Sequence, residues 1–454
     1  MNHDKISELR EKSIKKLLIE YSTPAIIAMT AMSLYNIVDN IFLGHGVGSI
    51  AISALAVAFP FMNLTGAFGS MIGVGGSSLL SIKLGRKEIK QANNILGNVL
   101  DLSLILSISI SIITLIFLDQ ILVFFGASEN TLPYAHDYMT IILYGNVVSH
   151  LFFSFNALLR AIGKPNLAMR TTITTVLANA ILDPIFIFAL DMGIQGAAIA
   201  TIIAQVISMI WQLKIFTNKS NIINFHWGIY KLNFKLIKEI LAIGASPFLM
   251  NAAACVIVIF INQSITKYGG DTGIGAYGII NKLVFIAAMI VMGYNQGMQP
   301  IAGYNYGAKL YNRVDQVLKL TIIYSTIVVC VMFLICMIFP EIMISIFTSD
   351  KELIQFGSHG LRLTIICLPL VGFQMVTSNF FQSINMAKKA IILSLSRQML
   401  ILLPLILILP PMWGADGVWL AQSLSDGFSS LIAGYMLWQF FRNTKKNKNN
   451  IIEV

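Results

Sequence analysis

Residues 193–200 read GIQGAAIA, and residues 414–421 read GADGVWLA. The two strings share Gly-x-x-Gly, an apolar tail and a closing alanine, with Gly193 over Gly414. Two more pairs fall in nearly the same register. SIKLGRKEIKQAN (81–93) resembles YNYGAKLYNRVDQ (304–316), with Gly85 over Gly307. ILDPIFIF (181–188) lies over ILLPLILI (401–408), and Pro24 lies more weakly over Pro247. Three anchors at nearly constant spacing mark one unit written twice.

The composition says what solvent that unit meets. Of 454 residues 56% are hydrophobic and 11% charged, against about 25% charged in soluble domains. Apolar stretches of ~20–28 residues suit a ~30 Å hydrocarbon core at 1.5 Å per residue, and the ~10-residue alternating strands of a membrane barrel are missing. Twelve spans are predicted, near 17–43, 50–80, 93–118, 133–159, 166–190, 194–217, 239–266, 274–303, 315–339, 355–382, 388–410 and 414–441. The fold expected is an all-α integral membrane protein, twelve transmembrane helices in two parallel six-helix repeats around a central cleft. An even number of spans per half sends both halves into the membrane in the same sense. The lobes are read as 1–217 and 239–441, joined by a linker at 218–238 and followed by a basic tail at 442–454.

Charge sets orientation. Of 31 Lys and Arg, Lys267, Lys282, Lys351 and Arg362 fall on one side; the others are assigned to the termini and the alternate loops, such as KLGRKEIK (83–90). The positive-inside rule then predicts a multi-pass protein of the cytoplasmic membrane of a prokaryote with both termini in the cytoplasm. The net charge of +10 reports topology and anionic headgroups, and no soluble basic domain points to nucleic acid. Cys255, Cys330, Cys336 and Cys367 fall inside apolar spans as small packing residues. The charged N-terminal segment is followed by no short apolar core with a cleavage site, so no signal peptide is expected.

The repeats also disagree, and the disagreement localises chemistry. Asp39-Asn40 aligns with Asn262-Gln263, and Asp183 with Leu403, although Pro184 and Pro404 agree. Both mid-span carboxylates of the first lobe are neutral in the second. A carboxylate at a helix centre costs roughly 2.5 kcal/mol or more, so the first lobe is read as the one that handles a proton or cation. On the first span Tyr35, Asn36, Asp39 and Asn40 share a face. On the fifth, Thr171, Thr175, Asn179 and Asp183 step by four, and on the fourth Tyr138, Gly145, Ser149 and Asn156 fall on one side. Three polar stripes are expected to converge on a wet pocket, with a kink beside Asp183 at Pro184. The bland alternative is that such Asn and Thr only join helices, at ~0.6 kcal/mol per bond. Asp426 in the last span is a third candidate acid. A tuned carboxylate binds and releases H⁺ as access alternates, and the same oxygens suit Na⁺; sequence does not separate the two ions.

The Pro24-containing first span ending in DNIFLGHG, the RAIGKP loop, LDPIFIF and GIQGAAIAT resemble the MATE (multidrug and toxic compound extrusion) transporters, most closely the MepA-like and DinF-like bacterial branches, over nearly the whole chain. The resemblance implies a cation-coupled secondary exporter in which inward H⁺ or Na⁺ flow drives small organic cationic drugs outward. It implies a coupling network at positions that match Asp39, Asp183, Asn179, Asn156, Tyr138 and Thr201. Other branches carry acids on spans seven and ten; INQSITK and CLPLVGFQMVTSNFFQ hold no Asp or Glu, which agrees with the repeat comparison.

Met is suited to adaptable pockets, and aromatic faces attract organic cations. Met29 and Met32 flank the polar face of the first span beside Tyr35, and span eight ends MGYNQGMQPIAGYNYG (292–307). Met32, Tyr35, Met292, Asn295, Gln296 and Gln299 are the expected cleft lining, and Gly293, Gly297 and Gly303 beside Pro300 are expected to let that span bend. The competing function is a lipid-linked oligosaccharide flippase of the same broader superfamily, which should line its cleft with Arg and Lys. No filter repeat marks a channel, and no HExxH or GxSxG motif marks an enzyme. No cofactor is expected, and no metal beyond Na⁺ at Asp39 and Asp183. The partners are the bilayer and small organic cations, and one chain, which supplies both lobes, is expected to work as a monomer.

Overall fold

The computed structural model describes residues 3–229 and 231–452. Among the described residues there is helix and no strand. The helices are α1 (His3–Glu11), α2 (Ile14–Gly46), α3 (Ser49–Gly85), α4 (Ile89–Ile116), α5 (Leu118–Phe124), α6 (Leu132–Tyr144), α7 (Asn146–Ala161), α8 (Pro165–Pro184) and α9 (Gly193–Thr217). They continue as α10 (Phe234–Gly307), α11 (Tyr311–Ile338), α12 (Pro340–Ser345), α13 (Lys351–Ile365), α14 (Leu368–Ser383), α15 (Ala387–Leu395), α16 (Leu403–Trp413) and α17 (Ala415–Ile452).

Side-chain placement is inverted relative to a protein in water. On α4, Ser103, Ser107, Ser111 and Thr114 are buried, while Ile105, Ile108, Ile112 and Ile116 are exposed. On α11, Thr321 and Ser325 are buried, while Ile323, Ile327, Val331 and Leu334 are exposed. Apolar stripes of that length outside and hydroxyls inside are stable only against lipid. The protein is therefore a multi-pass membrane protein. Eight described helices are long and apolar enough to cross a bilayer, and ten when the bent pairs α6/α7 and α13/α14 each count once. One of the eight, α10, has 74 residues and a backbone break at Gly270 (φ 60°), which divides it into the two spans expected there. The last predicted span, in α17, carries Ser423, Ser425, Asp426, Ser429 and Ser430 buried on its inner side.

The breaks have local causes. Predicted spans 133–159 and 355–382 are not straight: α6/α7 bends by 56° and α13/α14 by 49°. Pro369 cannot donate to the Ile365 carbonyl, and Ser423 Oγ accepts from the Cys367 amide at 3.1 Å. The kink expected beside Asp183 takes the form of a π-helical turn, Ile185–Ala189, directly after Pro184. The corresponding span of the second repeat holds a π-helical stretch, Ser396–Leu402.

The chain forms two compact units. The first contains Met1–Cys255, Gln296–Val317 and Ser383–Asn385; the second contains Val256–Asn295, Leu318–Gln382 and Met386–Val454. The first unit thus takes in one end of each of the two spans of α10. Those ends meet α2 and α3 through glycines. A Cβ on Gly75 would strike the Ile240 carbonyl, and one on Gly244 the Met71 carbonyl. A Cβ on Gly297 would strike Ser22, one on Gly85 the Tyr304 carbonyl, and one on Gly307 the Ile82 carbonyl. Gly75 and Gly297, Ser22 and Gly244, and Gly85 and Gly307 all stand at the same separation along the chain, so the contacts are images of one another under the repeat. Gly297 therefore serves close helix approach, where the sequence suggested bending.

The second unit has its own core. Trp419, from the GADGVWLA string, is fully buried, stacks on Tyr277 with centroids 6.2 Å apart, and lies against Gly360, where a Cβ would collide with the indole. Asp426 is corrected here. Arg397 Nε reaches its Oδ1 at 2.6 Å, so it is half of a buried ion pair rather than a free acid. The assignment of all remaining bases to termini and loops is corrected with it, because Arg397 sits inside a span.

Candidate functional site

The first unit gathers four helices, α2, α6, α8 and α9, around Asp183, whose side chain has no exposure. Asp183 lies one turn after Asn179 on α8, and Asn179 Nδ2 donates to Asp183 Oδ1 at 3.0 Å. The same Nδ2 reaches Thr201 Oγ1 of α9 at 3.3 Å, and Thr201 Oγ1 meets the Tyr35 hydroxyl of α2 at 3.2 Å. Asp39, one turn beyond Tyr35, lies close enough to Asp183 for the two carboxyls to interact. Buried Tyr138 of α6 lies within electrostatic reach of both carboxyls and of Tyr35.

The contact between the two acids has a chemical consequence. Ionised carboxylates only accept hydrogen bonds. A hydrogen bond between Asp39 and Asp183 therefore requires a proton on one of them, and two unprotonated groups at that distance repel. Among the described residues no donor reaches Asp39 Oδ1, Asp183 Oδ2 or Asn179 Oδ1, all three of which are buried. Such a pair can hold a proton, and the three buried oxygens offer lone pairs to a proton, a small cation or water.

The structure brings Asp39, Asp183, Asn179, Thr201, Tyr35 and Tyr138 together. The side chains of Asn36 and Asn40 lie outside the described residues. Asn156 is placed elsewhere. Its Nδ2 donates to Ala168 O at 2.9 Å, Thr171 Oγ1 at 3.2 Å and Thr172 Oγ1 at 3.1 Å, and Arg160 donates to its Oδ1. Thr171 stands three helical turns before Asp183, ~18 Å along the axis at 1.5 Å per residue.

The polar stripes thus form layers instead of one pocket, because the eighteen residues from Tyr138 to Asn156 advance ~27 Å along the helix path at 1.5 Å per residue. Between the outer layers, Thr175 Oγ1 donates to Ser208 Oγ at 2.7 Å, Ser208 Oγ to Thr171 O at 2.9 Å and Gln212 Nε2 to Thr171 Oγ1 at 3.1 Å. Sequence reasoning missed Ser208 and Gln212, although Thr201, Ser208 and Gln212 repeat at steps of seven and four, the signature of one helix face.

The residues expected in the cleft divide between the units. In the first, Gln296 Nε2 approaches Met29 Sδ at 3.4 Å, and Gln299 Nε2 donates to Ser78 Oγ at 2.7 Å, which spends that amide on packing against α3. Met32 is half-buried. In the second, Met292 is half-buried, and Asn295 is 3% exposed with no partner for its amide oxygen or nitrogen among the described residues.

The MatE family model matches residues 24–185 and 247–408. The two matches are equally long, and the second starts at Pro247, the position that pairs with Pro24 in the internal repeat. The chain belongs to the MatE family. Its spans and its duplicated halves are those of a MatE protein, twelve transmembrane helices in two six-helix repeats. The multidrug export protein MepA of Staphylococcus haemolyticus (strain JCSC1435) is 28% identical over 454 residues, covering 100% of both chains. MepA of Staphylococcus aureus (strain MSSA476) is 26% identical over 457 residues, again at 100% of both. The crystal structure of a MATE in complex with MaL6 superposes with a TM-score of 0.90 over 97% of this chain and 99% of that one, at 24% identity, a likeness of fold.

Proposed function

We propose that this MatE protein is a secondary active exporter that exchanges H⁺ for small organic cationic drugs by alternating access, with Asp39 and Asp183 as the coupling pair. The observation that carries the reading is the closeness of the two carboxyls, with Asp39 Oδ1, Asp183 Oδ2 and Asn179 Oδ1 buried and reached by no donor among the described residues. With one proton held there the pair carries a single negative charge. Its departure leaves two adjacent negative charges, which favours either a new proton or a cation on the drug side. That is the differential interaction an antiporter needs between its two states. Na⁺ is the other candidate ion; two carboxylates, Asn179 Oδ1 and the Thr201 and Tyr35 hydroxyls supply oxygens for it. Proton coupling is preferred because two neighbouring carboxyls held away from water favour keeping a proton on one of them.

The roles follow from position. Asn179 and Thr201 orient Asp183, Tyr35 ties α2 to that network, and Tyr138 closes its far side. Residues 1–217 and 239–441 act as the two lobes, 218–238 as their cytoplasmic linker, and Met32, Tyr35, Met292, Asn295, Gln296 and Gln299 as drug-facing positions. The lysine-rich loops face the cytoplasm with both termini, and a single chain suffices. The relatives' designation as multidrug export proteins supports the cargo class.

The test is ethidium export by the purified protein in liposomes under an imposed proton gradient and, separately, a Na⁺ gradient. Export driven by the proton gradient alone is expected. Export driven by Na⁺ alone would transfer the site to Na⁺, and a lack of export under either, from folded protein, would defeat the antiporter reading.

A further inference from the structure

The linker between the repeats is strapped to the first unit by two asparagines of α4. Asn93 Nδ2 donates to Ile222 O at 3.1 Å, and its Oδ1 accepts from the Asn224 amide at 3.0 Å. Asn98 Nδ2 donates to Lys231 O at 3.3 Å, and its Oδ1 accepts from the Asn233 amide at 2.8 Å. Each amide thus pairs with the backbone as a neighbouring strand would. Between them Gly97 leaves the space that the Ile229 carbonyl fills. The strap then ends in a fixed helix start, because Asn233 Oδ1 caps α10 by accepting from the Lys235 and Leu236 amides at 3.1 and 3.3 Å.

This construction sets Lys235 on the wall of a cavity of about 510 Å³, opposite the α3–α4 hairpin. Lys83 and Arg86 share the wall with it, Asn94 adds an amide, and Leu79 and Leu236 supply an apolar floor. Glu239 also lines the cavity, and Lys83 pairs with Glu88 at 2.9 Å; three cations against the single lining acid leave an excess of positive charge. Around it the strap exposes large aromatics. Trp227 is 97% exposed and Phe234, the residue before Lys235, 81%. Aromatic side chains beside lysines at the ends of spans are the pattern of the lipid headgroup region.

We propose that this cavity binds the phosphate of an anionic phospholipid headgroup, with Lys83, Arg86 and Lys235 on the phosphate oxygens. The site needs no assumption about coupling or cargo. It makes the linker a lipid-sensing element of the first unit, since the strap that holds Lys235 also joins the two repeats.

The test is native mass spectrometry of the full chain in detergent, titrated with dioleoyl phosphatidylglycerol, dioleoyl phosphatidylcholine and inorganic phosphate. Phosphatidylglycerol is expected to bind more tightly than phosphatidylcholine. Lys83→Gln, Arg86→Gln and Lys235→Gln together should weaken it roughly hundredfold, about fivefold for each base near a membrane surface. Arg86 and Lys235 are exposed, so the double variant of these two keeps the test informative if Lys83→Gln harms folding. A control variant, Lys214→Gln with Lys219→Gln and Lys238→Gln, removes the same charge outside the cavity and should bind as wild type does. Displacement by millimolar phosphate would identify a soluble phosphate as the ligand in place of a lipid. Equal retention of phosphatidylglycerol by wild type and triple variant, or an equal loss in the control, would overturn the site.

Discussion

Gly244→Ala should loosen one end of the first unit. Gly244 sits where α10 crosses α3; an added Cβ would meet the Met71 carbonyl carbon at 2.7 Å and the Met71 Cγ at 2.8 Å. The Met71 backbone belongs to a continuous helix and cannot rotate away as a side chain tip would, so the helices must separate by roughly an ångström or more to restore ordinary contact. Overpacking of this kind costs about 1–3 kcal/mol. The penalty applies only where α3 and α10 touch, so a state in which they part becomes about 5- to 150-fold more populated at about 1.4 kcal/mol per tenfold. Ser81 is 1% exposed and lies where α3 meets the other span of α10, 3.1 Å from the position of a Cβ on Gly303. A Ser81→Cys reporter, with the four native cysteines replaced by serine, reads the opening through its rate of reaction with a membrane-impermeant maleimide in proteoliposomes. The rate should rise by a factor in that range on adding Gly244→Ala, and Gly297→Ala, the change at the other repeat-related contact, should act in the same direction. A rate within twofold of the parent in both, with protein shown to be folded, would refute the claim that these glycine contacts hold that end shut.

Three further outcomes follow from the same packing. Arg397→Met leaves Asp426 buried without its partner, a loss of about 3–5 kcal/mol visible as a lower thermal midpoint in detergent; adding Asp426→Leu should recover most of it, and no recovery would mean that the pair does more than neutralise itself. Asn98→Ala deletes both bonds to the linker, about 1–2 kcal/mol, and should speed tryptic cleavage at Lys231; an unchanged rate would show that the strap is held elsewhere. Tyr35→Phe removes one hydroxyl contact to Thr201, worth about 1 kcal/mol, and should slow export by no more than about tenfold with its proton dependence intact; a loss as complete as that of Asp183→Asn would make Tyr35 a proton carrier.

The fold is legible in the sequence because lipid leaves few alternatives. Long apolar runs, lysine-rich loops and a nearly constant repeat spacing are enough to specify two sets of six spans. Asp39 and Asp183 stand out for the same reason, since a carboxylate in hydrocarbon is costly and their repeat partners are neutral. Other features depend on three-dimensional neighbours. The bend at Gly145 sits where a Cβ would collide with Ile202 of α9, and no local pattern announces that contact. Arg397 falls inside the predicted span 388–410, but the Asp426 that neutralises it lies on the next span, and only the fold shows the pairing. Gly297 beside Pro300 reads as a hinge in isolation, and only Ser22 across the contact shows that it is a close approach.

The central claim is that Asp39 and Asp183 hold a proton that the cargo displaces. The most direct test is proton release on adding tetraphenylphosphonium to the purified protein in weakly buffered detergent solution, followed with a pH indicator. Wild type should release about one proton per bound cation, as expected for a carboxyl pair that shares one. Asp39→Asn and Asp183→Asn, still folded and able to bind the cation, should release none. Release that is absent in wild type, or equally large in both variants, would contradict the account.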